Sequence, residues 1–399
     1  MNTHIMAGGL DTGGLFDITE CGLAESPVEW DHLVPATGIG FYSSRSWNLA
    51  MLGQNGARES VLIARDRRGA LRAVVPVFRY DGGPGNSHLH PGTLFGGVDS
   101  VSDPAVRRWE PVTVVGSASG YGTAPAVSGD LAAWTAASDR VTATATGTVF
   151  IPHLTGSDVA RLRAEWPSRP ALLTSVRVSV PVPAVPEADY ENTLRKRDRD
   201  RVRWERRLLS RGGRVITVEP ITEANIEEIA GLQEKTQRRH NTYGDTRQFV
   251  ERYRQIRSVF GDALFAFICR HEGRAIGSLS CIEHGTTLIG RSAGLDYDRT
   301  GRYAEYFNLM IHEPLRYCLR RGLRELDLGV AGYRQKLLRG GKAVPVWSIL
   351  LRPPSGWTRK DTVHHNRAAA QRLRADLGPT CPPELADFFE HIQQTGTAM

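Results

Sequence analysis

The sequence is poor in lysine. Its 50 basic residues include five lysines (Lys196, Lys235, Lys336, Lys342 and Lys360), and the rest are arginine. Such a bias follows genomic base composition as readily as function, so the net charge of +7 is a weak pointer to an anionic partner such as a phosphate, a nucleotide or RNA. Cysteine is scarce too. Cys21, Cys269, Cys281, Cys318 and Cys381 are odd in number and lack metal-ligand spacing, which argues against a disulfide framework and a zinc site. Cys269, Cys281 and Cys318 sit in apolar stretches and read as reduced core thiols. No run of eighteen apolar residues occurs, so no membrane span is expected. The opening MNTHIMAGGLDTGGLFD lacks a basic segment followed by an apolar core, which points away from a secretory signal and toward the cytoplasm.

Several catalytic signatures are missing as well. There is no His-Glu-x-x-His and no phosphate-binding P-loop. Gly116-Ser117-Ala118-Ser119-Gly120 approaches a nucleophile elbow but carries alanine at its centre. Metal-assisted hydrolysis, self-driven ATP chemistry and serine hydrolysis are therefore unsupported.

What is present is a soluble globular composition, 41% apolar and 23% charged, over a length that suggests two domains. Residues 1–18 read as a flexible tail. Val61–Ala64 and Ala73–Val77 flank Asp66-Arg67-Arg68-Gly69 and predict an antiparallel hairpin. Val176–Val185 alternates and is rich in proline, which predicts an edge strand or linker and a division near residue 185. Residues 189–211 predict one helix, ended by Gly212-Gly213. Apolar spacing predicts helices over 223–238 and around Phe249–Phe260, then strands 263–269, 275–282 and 287–292. A helix of about eighteen residues follows from Tyr303, with Pro314 inside it, and then a buried strand 323–328. This order predicts an α/β (α+β) domain with a mixed sheet.

The second half resembles the tandem GNAT-type acyltransferases of the peptidoglycan biosynthesis/recognition family, relatives of the Fem-type peptidyltransferases. Three segments carry the resemblance: the basic helix from Leu194 to Gly213; Leu288-Ile289-Gly290-Arg291-Ser292-Ala293-Gly294 with the helix after it; and Leu326-Asp327-Leu328-Gly329 through Gly332-Tyr333-Arg334-Gln335-Lys336 to Arg339-Gly340, then Pro345-Val346-Trp347-Ser348. The family's Glu-His pair ahead of its lysine is replaced here by Arg334-Gln335. The resemblance implies two tandem GNAT-like domains, each a mixed twisted sheet flanked by helices. The first, 19–185, would be a degenerate copy. The second, 186–360, would be catalytic, and 361–399 would form a helical extension.

It also implies transfer of an aminoacyl or acyl group to an amine. Asp327, at the end of an apolar strand, is the candidate base. Arg291 is the candidate oxyanion donor, and Glu305 is a further candidate acid or base. Arg299, Gly301 and Arg302 occupy the position of the phosphate-gripping loop but lack its full glycine pattern. That departure favours aminoacyl-tRNA over acyl-CoA as co-substrate, with no tightly bound cofactor, no metal and no DNA partner. Nine arginines and Lys196 between Arg195 and Arg214 offer a basic face, on which Arg195, Lys196, Arg199 and Arg203 would meet an RNA backbone and Trp204 would stack on a base. His240, Tyr243, Tyr333, Lys336 and Arg339 are candidates for holding the acceptor, a small-molecule or peptide amine. His312 reads as a helix residue near the core. The rival readings are an acyl-CoA-dependent N-acyltransferase and a non-catalytic protein that binds RNA or a precursor.

Overall fold

A computed structural model describes residues 15–397 apart from 55, 87, 98–99, 241–243 and 331, so Tyr243 and nearly all of the expected tail lie outside the described residues. The strands are β1 (Phe16–Cys21), β2 (Arg58–Asp66), β3 (Leu71–Tyr80), β4 (Val112–Val115), β5 (Ala126–Val127), β6 (Thr148–Thr155), β7 (Ala171–Pro181), β8 (Arg214–Pro220), β9 (Leu264–His271), β10 (Arg274–His284), β11 (Thr287–Leu295), β12 (Glu325–Val330) and β13 (Lys342–Arg352). β1 takes up residues 16–18, which the sequence had suggested were tail. The expected hairpin forms as β2 and β3, with Asp66 accepting the Arg68 and Ala70 amides in its turn.

The strands do not form two separate sheets. They lie in one twisted sheet in the order β1-β2-β3-β4-β6-β13-β7-β12-β11-β10-β9-β8, with β5 paired to β3. The order reads alike from either edge: three antiparallel contacts, one parallel contact (β4 with β6, β11 with β12), then an antiparallel one. The sixth strand from each edge comes from the other half of the chain. β13 pairs with β6, β7 pairs with β12, and β7 and β13 pair with each other in the middle. Each half of the chain thus completes its part of the sheet with a strand of the other half.

Three predicted elements differ in instructive ways. Residues 171–181 form a central strand, not an edge or linker; Pro181 is its last residue, where a missing amide costs little. Its polar alternation misled because Arg177 is buried by an ion pair. The helix expected over 189–211 breaks at Leu194 and Arg195, leaving a short turn of helix at Tyr190–Thr193 and a helix at Lys196–Arg211. The helix after Tyr303 consists of Glu305–Phe307, a π-turn at Asn308–His312, and Glu313–Arg321, with Pro314 in the first turn of the last piece. Proline lacks the amide that an α-helix needs there, and the wider turn accommodates it.

Helices cover both faces. Ile226–Arg239 and Thr246–Phe260 bury Ile229, Leu232, Phe249 and Ile256 with Leu264 and Ile268. Leu309, Leu315 and Cys318 close the other face over Phe267 and Leu326. The C-terminal helices Arg359–Leu377 and Pro383–Thr395 pack Ala369, Leu373 and Phe389 against Val149, Ile151 and Leu173, so the end of the chain completes the core of its beginning. All five cysteines are free.

Candidate active site

The parallel pair β11 and β12 is in register from Thr287/Glu325 to Ile289/Asp327 and then parts. On the other side β4 and β6 part after Val114/Phe150. Backbone polar groups between diverging strands lose their ladder partners, so each gap is a natural place for a ligand.

Asp327 stands where the first gap opens and is 1% exposed. Its carboxylate accepts from Arg177 Nε at 3.1 Å, from Arg177 Nη2, and from the Gly329 amide at 2.9 Å. Arg177 comes from β7 and is 3% exposed; its Nη1 is buried with no hydrogen-bond partner among the described residues. The helix Gly38–Ser43 and the segment around Gly120 pass close to this pair. A Cβ on Gly38 would lie 2.5 Å from Arg177 Nη2, and one on Gly120 would lie 2.1 Å from the Tyr42 ring, so both positions exclude a side chain. Tyr42 is buried beside the pair; burial and the Asp327 charge push its phenol well above the ordinary value.

Arg291 bridges the two gaps. Its Nη2 donates to the Ser119 carbonyl at 3.3 Å, and its guanidinium lies 5.2 Å from the Trp47 ring centre and 5.8 Å from that of Tyr121. Around the second gap, the side-chain hydroxyls of Ser117, Ser119 and Thr123 are buried without partners among the described residues. His153, on β6, is buried with a left-handed φ of 56°. The His88 backbone approaches its ring, but neither ring nitrogen reaches hydrogen-bond geometry. Burial pushes its pKa down to about 4, so the imidazole is neutral at pH 7. Backbone strain and unsatisfied buried donors both concentrate at functional sites.

The remaining predicted residues fall in three places. Glu305 is fully buried; it accepts from Arg214 Nε at 2.9 Å and from the Gly301 and Tyr303 amides at 3.0 Å each. The chain's own carboxylate thus takes two of the amides that a phosphate would use, while Arg302 is exposed and Arg299 leans toward Asp296 at 3.9 Å. On the basic helix, Arg195 and Lys196 are exposed, Arg199 is half-buried, and Trp204 is 55% exposed. Arg203 is tied to Glu191 at 2.6 Å. Arg339 pairs with the buried Glu205, which also meets His312 Nε2 at 2.6 Å. His240 is exposed at the end of its helix. Tyr333 bonds Ser175 at 3.0 Å. Lys336 is buried; Nζ donates to the Leu328 carbonyl at 2.6 Å and points to Val330 at 3.4 Å, and burial lowers its pKa to about 8 against the pull of Asp327.

Of the three predicted catalytic residues, Asp327 and Arg291 share a neighbourhood with Tyr42, while Glu305 sits in its own buried cluster. Sequence reasoning did not single out Arg177, His153 or Tyr42. An arginine inside the apolar run Val176–Val180 was the one available signal for Arg177. Among the described residues no group of three His, Cys, Asp or Glu could hold a metal, and no helix is long and apolar enough to cross a membrane.

This architecture is a GNAT/Fem-like fold. The FemAB-like model, described as peptidoglycan biosynthesis/recognition, matches residues 186–371. Similar solved structures include FemX, at 11% identity and TM-score 0.54, covering 84% of this chain and 96% of that one. A conserved protein of unknown function from Bacteroides thetaiotaomicron is 14% identical with TM-score 0.52, covering 84% of this chain and 99% of that one. No curated protein sequence matches.

Proposed function

We propose that the protein is an N-acyltransferase that forms an amide from an activated acyl ester or thioester and an amine. The observation that carries this is the buried, unpartnered Arg177 Nη1 beside Asp327, at the point where β11 and β12 part in a GNAT/Fem-like fold. A donor held there, out of water, is placed to bind the oxyanion that develops when the amine attacks the acyl carbonyl. The C–N bond forms, the C–O or C–S bond breaks, the amine nitrogen loses a proton and the leaving group gains one. In this reading Asp327 is a positioning residue that fixes Arg177. His153, neutral, can accept a hydrogen bond from the attacking amine, whose proton passes to the leaving group. Glu305 is a loop anchor.

Both donor classes enter the same chemistry. Glu305 occupies the Gly301 and Tyr303 amides, so a coenzyme A pyrophosphate would have to rest on Arg299 and Arg302 alone. An RNA would meet Arg195, Lys196 and Trp204, the exposed part of the basic helix. The test is mass-spectrometric detection of acylated amine, using acyl-CoA and charged-tRNA pools with and without ribonuclease. Turnover that survives ribonuclease assigns the thioester, and loss of turnover assigns the tRNA ester. Failure of both pools, across a broad set of amines, rejects the proposal.

A further inference from the structure

Several buried and half-buried arginines of this chain have carboxylate partners. Arg177 has Asp327, Arg214 has Glu305, Arg339 has Glu205, and Arg270 has Glu219 and Glu228. Among the described residues, Arg252 and Arg291 are the arginines that bury an unpartnered Nε and have no carboxylate partner. Arg291 projects from β11 where it leaves β12, and Arg252 projects from the helix Thr246–Phe260 packed beside it. The next residue on that helix, Tyr253, bonds Ser280 at 3.3 Å, and Ser280 bonds the Ser292 carbonyl at 3.3 Å, which holds the helix against this part of the sheet. The Nε of each arginine is buried without a hydrogen-bond partner, and no carboxylate among the described residues pairs with either. Burial and the Arg291 charge both depress Arg252 below the ordinary arginine value, so the two charges feel each other.

Two like charges, partly desolvated and unneutralised, are unfavourable unless an anion joins them. The geometry restricts what kind. The rings of Trp47 and Tyr121 lie near the Arg291 guanidinium, and Phe249 lies 5.8 Å from that of Arg252. Aromatic neighbours favour ligation at the guanidinium edges, which suit a planar carboxylate; the chain's own Arg177 binds Asp327 in that way, through Nε and Nη2. We propose that Arg252 and Arg291 form the binding site for a carboxylate carried by the amine acceptor, so that the acceptor is an amino acid or peptide-like molecule with a free carboxylate. This rests on the N-acyltransferase reading for the word acceptor, but not for the site itself.

The test is thermal unfolding of the full chain at fixed ionic strength with three probes: glycylglycine, glycinamide and inorganic phosphate. Glycylglycine at about ten times its Kd raises the wild-type Tm by about 2 °C, and glycinamide does not. Arg291→Gln and Arg252→Gln abolish that shift, while each ligand-free variant melts at or above the wild type because the repulsion is gone. The inference is overturned if glycinamide matches glycylglycine, if phosphate alone gives the shift, or if both variants retain it. Should a variant fail to fold, the three wild-type probes decide alone. No acyl donor is present, so failure of the transfer reaction leaves this result standing. Conversely, equal turnover of glycylglycine and glycinamide would remove the carboxylate site and leave the transferase.

Discussion

Removing either member of the Arg177–Asp327 pair should be costly, and removing both should not. The carboxylate is 1% exposed and the guanidinium 3%, with Nε 3.1 Å from Oδ1. At an effective dielectric constant of about 20, unit charges at that separation attract by about 5 kcal/mol. Deleting one partner of a buried pair leaves the other charge uncompensated, typically at about 3–5 kcal/mol. That is a large part of the roughly 5–15 kcal/mol that holds a folded protein together. We therefore expect Asp327→Leu and Arg177→Met each to lose about 3–5 kcal/mol. The double variant Arg177→Met/Asp327→Leu should recover most of that loss, because two apolar side chains need no partner. Urea unfolding followed by tryptophan fluorescence gives the four free energies, and the cycle isolates the coupling. Arg254 with Glu223, 44% and 57% exposed, is the control pair and should couple far more weakly, because solvent screens it. The folded double variant should be inactive, since Nη1 is gone. A coupling no larger than the control's would refute the burial argument. Wild-type turnover in the double variant would refute the oxyanion role.

Other expectations follow from single sites. The Lys336 pKa of about 8 lies below its unfolded value near 10.5, so the folded chain binds fewer protons between those limits and stability rises with pH across that window, by about 3 kcal/mol in all; Lys336→Met should flatten that slope in unfolding measured from pH 7 to 10. His153→Asn should keep or raise stability by up to about 1 kcal/mol, because asparagine tolerates the left-handed backbone, while turnover falls at least about tenfold; unchanged turnover would free the imidazole of any role. Glu305→Ala should speed hydrogen exchange at the Gly301 and Tyr303 amides, and unchanged protection there would show that the carboxylate does not hold the loop. Reversing the charge at Arg195 and Arg199 should weaken any RNA binding and lower its salt dependence; unaltered affinity would exclude this helix as the contact.

Much of the second half was readable in advance because its segments are locally self-consistent. The helices around Ile229 and Phe249 and the strands of β9 to β12 bury periodic apolar residues, and period is what a sequence shows directly. The exchange of β7 and β13 was not readable. Strand partners more than 150 residues apart leave no local trace, and the proline and polar alternation in 171–185 pointed to an edge. The site shows the same division. Asp327 was visible as an acid closing an apolar strand, whereas its meaning depends on Arg177, 150 positions earlier. Glu305 looked available because the sequence does not reveal that its own loop amides and Arg214 fill its lone pairs.

The crossed strands also bear on how the chain emerges from the ribosome. Residues 1–185 lack the strand at 342–352 and the helices from 359 onward that close their core, so the first half cannot finish folding while the rest is being made. Its unpaired β6 edge must wait for about 190 further residues, tens of seconds at the slower synthesis rates. An open apolar edge of that kind is where chaperones bind and where aggregation begins. Expression of either half alone should give insoluble protein, and the two halves should become soluble when co-expressed.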